Sequence, residues 1–335
     1  MQALPKALFI VLLELSVGSY LSLYVLDLRR DTTRGFVVFQ GALYLFQALL
    51  TVLAMNSFAT PQLVAGYGLD VRWLGAQGPL VVAFTLLLIP WNVLLWRDRA
   101  PRKGQKGAAK AAAAGLAISP RLLLARHAVG AVTGAVGLAA LFIVGMGYRP
   151  LADSRIGGAF VVLAIVAGAL AIGSVWTAMW LGHWYLNTPT ASGKPLEFTT
   201  ALVVGALALE LVFSLLAGPS TAHAQQNAAP LAPGTTIQVT GNQVQVTTPT
   251  PQPGSADQQQ AVNAEQTRVA PLGAGAMLWL QILMGFVAPL ILGGIAFVLA
   301  RGRSFQSATG MLYICVAFIF IGEVLGRGLL LTAVA

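Results

Sequence analysis

Three carboxylates, Glu14, Glu210 and Glu323, stand inside long apolar runs of this 335-residue chain, and Arg327 follows the last of them by one helical turn. A charged side chain near a bilayer centre costs roughly 2.5–3.5 kcal/mol on insertion scales, so such groups face a bundle interior, a cavity or a partner charge. Glu323 and Arg327 have the i,i+4 spacing and the acid-before-base order that allow pairing along one helix face. Two uses of these groups stay open. One is a structural ion pair that tightens a bundle. The other is a ligand-facing site, where a carboxylate accepts and releases protons.

Two further sets have spacing that matters. Gln40, Tyr44 and Gln47 stand at i, i+4 and i+7, hence on one helix face. Interhelical hydrogen bonding is their ordinary use in lipid, and a quinone carbonyl can use the same donors. The string Trp176-Thr177-Ala178-Met179-Trp180-Leu181-Gly182-His183-Trp184-Tyr185-Leu186-Asn187 puts Trp180 and His183 on one face. An interfacial aromatic belt accounts for much of it. With His127, predicted at similar depth on a neighbouring helix, His183 could also ligate a b-type haem or hold a quinone.

These residues need elements to position them. The chain is 57% hydrophobic and only 9% charged, far from the makeup of a soluble domain. A spanning helix needs about 20 largely apolar residues. Runs near 7–27, 36–56, 78–96, 127–147, 158–187, 198–218, 272–300 and 308–333 meet that length. They lack the alternation of barrel strands. The predicted fold is therefore an all-α, polytopic membrane bundle of about eight helices. Six of them lie within 1–218, with a basic loop at 97–126, and two lie within 272–335.

Orientation follows from the basic residues. Arg29, Arg30 and Arg34 fill the first gap; the third holds Arg97, Arg99, Arg102, Lys103, Lys106, Lys110, Arg121 and Arg126; Lys194, Arg301 and Arg303 follow in the fifth and seventh. Positive charge is retained on the cytoplasmic side, so both termini are expected outside, in a cytoplasmic membrane. Topology and contact with anionic lipid thus explain the net charge of +9 without invoking nucleic acid. The first run reads as a span rather than a cleaved leader, because Glu14 interrupts it and Arg29-Arg30 follow it. Cys315 is the single cysteine, which excludes an intramolecular disulfide, and no metal-ligand set stands out.

Between the sixth and seventh spans, 219–271 is rich in Gln, Thr, Ala and Pro and reads as a low-complexity outer loop. Within it, Thr236–Thr240 and Gln243–Thr247 alternate around Gly241-Asn242, which predicts a hairpin over 236–247. The alanine-rich stretch 108–117 could form a short surface helix. Pro90 and Pro289 predict kinks, and the glycines of 130–137 and 168–173 predict close helix packing. Counted inward at 1.5 Å per residue, Glu14 and Glu210 lie about 10 Å deep and Glu323 about 15 Å. The acidic residues therefore form one prospective site near the outer side, and the histidines another at the inner edge.

Gly322-Glu323-Val324-Leu325-Gly326-Arg327, the span count and the outward termini resemble the DMSO reductase and polysulfide reductase type of membrane anchor subunit. In place of the aromatic residues expected after the arginine stands Gly328-Leu329-Leu330-Leu331. Neither membrane histidine matches the family's quinol-binding one. The resemblance implies a subunit that exchanges electrons and protons with menaquinone or ubiquinone beside an iron–sulfur or molybdenum-containing partner, with Glu323 and Arg327 near the quinol. Glu14 and Gln40 join them by depth. Two other readings remain: a proton- or cation-coupled transporter, and a non-catalytic assembly subunit. Spans 1–4 and 5–8 correspond in number alone, so no repeat supports transport.

Overall fold

The computed structural model describes residues 3–58, 69–98, 120–152, 154–188, 192–218, 236–240, 243–247 and 274–332. The stretch 108–117, most of 219–271 and the Gly241-Asn242 turn lie outside them. Within the described residues, eight helices are long and apolar enough to cross a membrane. They are α1 (Ala3–Arg29), α2 (Arg34–Phe58), α3 (Gln77–Arg97), α4 (Pro120–Tyr148), α5 (Arg155–Asn187) and α6 (Lys194–Ala217). A seventh, α7, is built from Ala274–Gln281, a π-helical segment Ile282–Val287, and Ala288–Arg301, and α8 is Phe305–Thr332. Apolar runs become helices here because hydrocarbon offers no outside partner for backbone N–H and C=O groups. The chain is a multi-pass helical membrane protein.

Local chemistry sets several helix ends. The Ser154 hydroxyl accepts from the Gly157 N–H at 2.9 Å and caps α5. Proline at the first position suits the start of α4, since its fixed φ is already helical and its missing N–H would be unsatisfied there anyway. That start lies earlier than the apolar run suggests. Residues 120–126 are therefore helix rather than loop, and His127 stands two turns inside α4. Pro289 lacks an N–H, and its ring crowds the carbonyl four residues earlier, so the kink expected there takes the form of the π segment Ile282–Val287.

The two strands, β1 (Thr236–Thr240) and β2 (Gln243–Thr247), pair antiparallel. Ile237 is in register with Val246 and Val239 with Val244.

Helices α1 and α5 form the centre of the molecule: 72% and 67% of their apolar windows are buried, against 28% for α6 and α7. α1 packs on α2 and α4, α2 on α3, and α3 on α4; likewise α5 packs on α6 and α8, α6 on α7, and α7 on α8. Two four-helix bundles result. They join through α1 on α5, with α1 also on α8 and α4 also on α5. Exchanging α1–α4 for α5–α8 leaves this scheme unchanged. Four spans per half make both halves run in the same sense, as in parallel repeats about the membrane normal. The correspondence absent from the sequence is present in the packing.

The junction is a backbone contact. A Cβ built on Gly18 would overlap the Ala169 carbonyl, and one on Gly173 would overlap the Gly18 backbone. Only hydrogen at both positions lets α1 and α5 approach this closely. Gly18→Leu is therefore expected to lower the thermal midpoint in detergent by several degrees, or to prevent monodisperse purification. Gly205→Leu, at a position with nothing within 4 Å, should leave it unchanged. Equal midpoints for the two variants would remove the junction from its central place.

Candidate functional site

The buried stripe of α8 repeats at i+4 through Cys315, Ile319, Glu323, Arg327 and Leu331, so the acid and the base share the face that packs into the bundle. Arg327 Nε donates to Glu14 Oε1 at 2.9 Å, and Nη2 approaches the same oxygen at 2.8 Å. That Nη2 also reaches Glu210 Oε1 at 3.2 Å and Glu323 Oε2 at 2.9 Å. One guanidinium thus holds carboxylates from α1, α6 and α8. α5 contributes by having no side chain there: a Cβ on Gly168 would fall on the guanidinium, 2.8 Å from Glu210 Oε1 and Glu323 Oε1.

The predicted pair is therefore part of a four-residue centre. Counting along the helices set Glu323 about one turn deeper than Glu14. Direct contact with one guanidinium puts them at one level.

Charge decides what this centre does. All four residues are 6% exposed or less. A guanidinium stays charged, and it neutralises one of the three carboxylates. Two uncompensated charges cannot persist at a site this dry, so the centre holds protons or binds a cation. Such protons belong to the group rather than to one residue. A purely structural tie would need one acid, as in an ordinary buried pair.

The π segment of α7 lies beside this centre. A Cβ on Gly322, the residue before Glu323, would meet the Gly285 backbone, and one on Gly326 would come within 2.7 Å of the Gln281 amide. Single-turn π segments inside helices recur at functional sites, where they widen a helix locally.

The other predicted residues go elsewhere. Tyr44 shares a hydrogen bond with Thr177 of α5 at 2.8 Å. Gln40 and Gln47 lie on that same face of α2, both buried, and neither bonds to the carboxylate centre among the described residues. Trp180 packs edge-on against Phe39, Trp176 and His183. His183 is exposed and its Nδ1 lies 3.3 Å from the Tyr313 hydroxyl of α8. His127 is half-buried, and its backbone carbonyl accepts from Tyr24 of α1 at 2.9 Å. An exposed ring bonded to a phenol is a poor fit to a buried axial ligand, so a haem held by this pair does not fit the arrangement. Beside Pro90, an open groove of about 640 Å³ runs between α2 and α3, lined by Leu45, Ile89, Asn92, Val93, Trp96 and Arg97.

A second ionic centre escaped the sequence reading. Arg126 Nε lies 3.1 Å from Asp27 Oδ2, and its Nη1 bonds Asp98 Oδ2. Arg126 is 1% exposed, which removes it from the basic loop in which the sequence placed it. Arg34 bonds the Asp98 and Trp96 carbonyls and so covers the C-terminal end of α3. The available signal was acidic residues at two inner helix ends amid basic gaps.

Compared with known proteins, the chain matches no protein-family model and no curated protein.

The excess of acid over base gives a signed prediction. Arg327→Gln strands three buried carboxylates and should cost about 3–5 kcal/mol. Glu210→Gln relieves negative charge and should leave stability unchanged or raise it. Thermal unfolding of both variants in detergent checks this, and the reverse order would refute the charge count.

Proposed function

We propose that the chain is the membrane subunit of a respiratory or other redox complex, and that it exchanges protons and electrons with membrane quinone at the Glu14–Glu210–Glu323–Arg327 centre. The observation that carries the reading is the excess of two buried carboxylates over the guanidinium. Oxidation of a quinol to a quinone releases two protons and two electrons. The two carboxylates not neutralised by Arg327 match the two protons in number, each passing on the proton it holds before it takes one from the quinol. Arg327 supplies N–H donors to a quinone oxygen, and Glu323 accepts from the quinol hydroxyl.

At the π segment α7 packs backbone to backbone on α8, Gly285 on Gly322, and these two helices would have to part there to admit a quinone to Glu323. Electrons pass to an acceptor on an iron–sulfur or molybdenum-containing partner subunit. The E-x-x-G-R string of α8 and its resemblance to quinol-linked anchors point the same way. Menaquinone and ubiquinone present the same two oxygens, and the centre suits either.

One observation favours a second reading. The repeated packing of α1–α4 and α5–α8 is an arrangement that transporters use, with a proton or cation bound between halves.

The two readings separate in the complex purified through a tag on this chain. Glu323→Gln is expected to reduce quinol-linked turnover by at least tenfold, about 1.4 kcal/mol in the barrier, while the partner subunits still co-purify. Unchanged turnover, or purification without any redox partner, favours transport and sinks the quinol assignment.

A further inference from the structure

Between the two ionic centres the interior is polar in a way that helix packing does not require. The outer end begins two residues from Glu14, where the Ser16 hydroxyl lies 2.8 Å from Thr51 of α2. Further inward on α2, Tyr44 bonds Thr177 of α5 at 2.8 Å. Thr51 and Tyr44 are seven residues apart, so one face of α2 meets α1 at one level and α5 at another. That face fronts the α1–α5 junction. Gln47 and Gln40 complete it.

Gln40, Gln47, Ser19 and Ser22 are each more than nine-tenths buried. Both amide atoms of each glutamine and both serine hydroxyls have no hydrogen-bond partner among the described residues. Each such group costs about 1–3 kcal/mol, and folded interiors pair the large majority of them. Interhelical glue would pair these side chains with one another or with backbone. They are not so paired. Groups of this kind at intervals of about one turn are suited to hold water molecules that make two to four bonds each.

We propose that this seam along α1, α2 and α5 is a hydrated proton path linking the inner Asp27–Arg126–Asp98 centre to the outer carboxylate centre. It spans about 20 Å from Asp27 to Glu14 at 1.5 Å per residue. A proton that the outer centre has taken up leaves Glu14 along the seam; each water or hydroxyl accepts one proton and releases another, and the last is released at the Asp27 and Asp98 carboxylates, beside the basic gaps. No bond other than O–H forms or breaks, and no electron moves. The path rests on the outer centre being a proton site. With it, that centre exchanges protons with the inner side of the membrane as well as with quinone.

The test uses the full chain with its single cysteine replaced, Cys315→Ala. Thiols introduced by Ser19→Cys, Ser22→Cys, Gln40→Cys and Gln47→Cys are expected to react with a membrane-impermeant methanethiosulfonate. Phe46→Cys and Leu49→Cys, on the lipid-facing side of α2, should not react. In liposomes under an imposed potassium diffusion potential, the wild-type chain should carry protons. The double variant Gln40→Leu with Gln47→Leu should cut that flux at least tenfold. Unreactive seam thiols, no wild-type flux, or a flux that follows sodium would each overturn the path. A flux lost in Glu14→Gln but unaltered in the double glutamine variant also overturns it, while leaving the quinol centre standing.

Discussion

The contact between the α1 and α5 backbones is the constraint on which the rest of the molecule depends. Lipid tails are as apolar as leucine, so helices in a bilayer gain little from burying apolar surface against one another. They associate through close packing and polar contacts instead. Gly18 and Gly173 allow that approach, and with Ala169 they seat the two bundles on each other. Glu14 lies one turn outward of Gly18, and Gly168 lies just outward of Gly173. The crossing that joins the halves therefore carries an α1 carboxylate to Arg327 of α8, with the missing side chain of Gly168 leaving room for it.

The two ionic centres obey the same electrostatics with different balances. Arg126 meets Asp27 and Asp98 at the inner helix ends, where the neighbouring gaps are basic. Arg327 meets three carboxylates within the bundle. An arginine holding acids from several helices fixes their relative positions, since removing it strands buried charge. The outer centre carries the larger excess, three acids to one base against two to one at the inner centre. Its surplus of acid is where chemistry rather than architecture has to be sought.

Much of this was legible in the sequence. Length and apolarity identify spans because lipid permits few solutions, and the eight helices follow from that rule. The i,i+4 order of Glu323 and Arg327 announces their shared face. What the sequence withheld depends on rotation and tilt. Counting residues separated Glu323 from Glu14 by about a turn, because helices of unequal length and tilt do not share a zero. It placed Arg126 in the basic loop, because Pro120 starts α4 seven residues before the apolar run. Gln40, Tyr44 and Gln47 were correctly set on one face, but which helices that face meets is decided by Thr51 with Ser16 and Tyr44 with Thr177, contacts of long sequence separation. The repeated packing scheme left no trace, since lipid-facing leucine, valine and alanine exchange freely without altering it.

Packing that repeats and chemistry that does not are the two sides of one design. Exchange of the halves maps the approach of α1 to α6 onto the approach of α5 to α2. The first approach holds Glu14 and Glu210 on either side of Arg327. The second holds a neutral pair, Thr177 with Tyr44, at 2.8 Å. The two approaches differ in level as well as in charge: Glu14 lies one turn outward of the Gly18–Gly173 crossing and Thr177 one turn inward of it. A symmetric pair of charged approaches would double the cost of burying carboxylates without improving the junction, which the glycines already supply. The neutral approach instead lies within the polar seam that leads from the charged one.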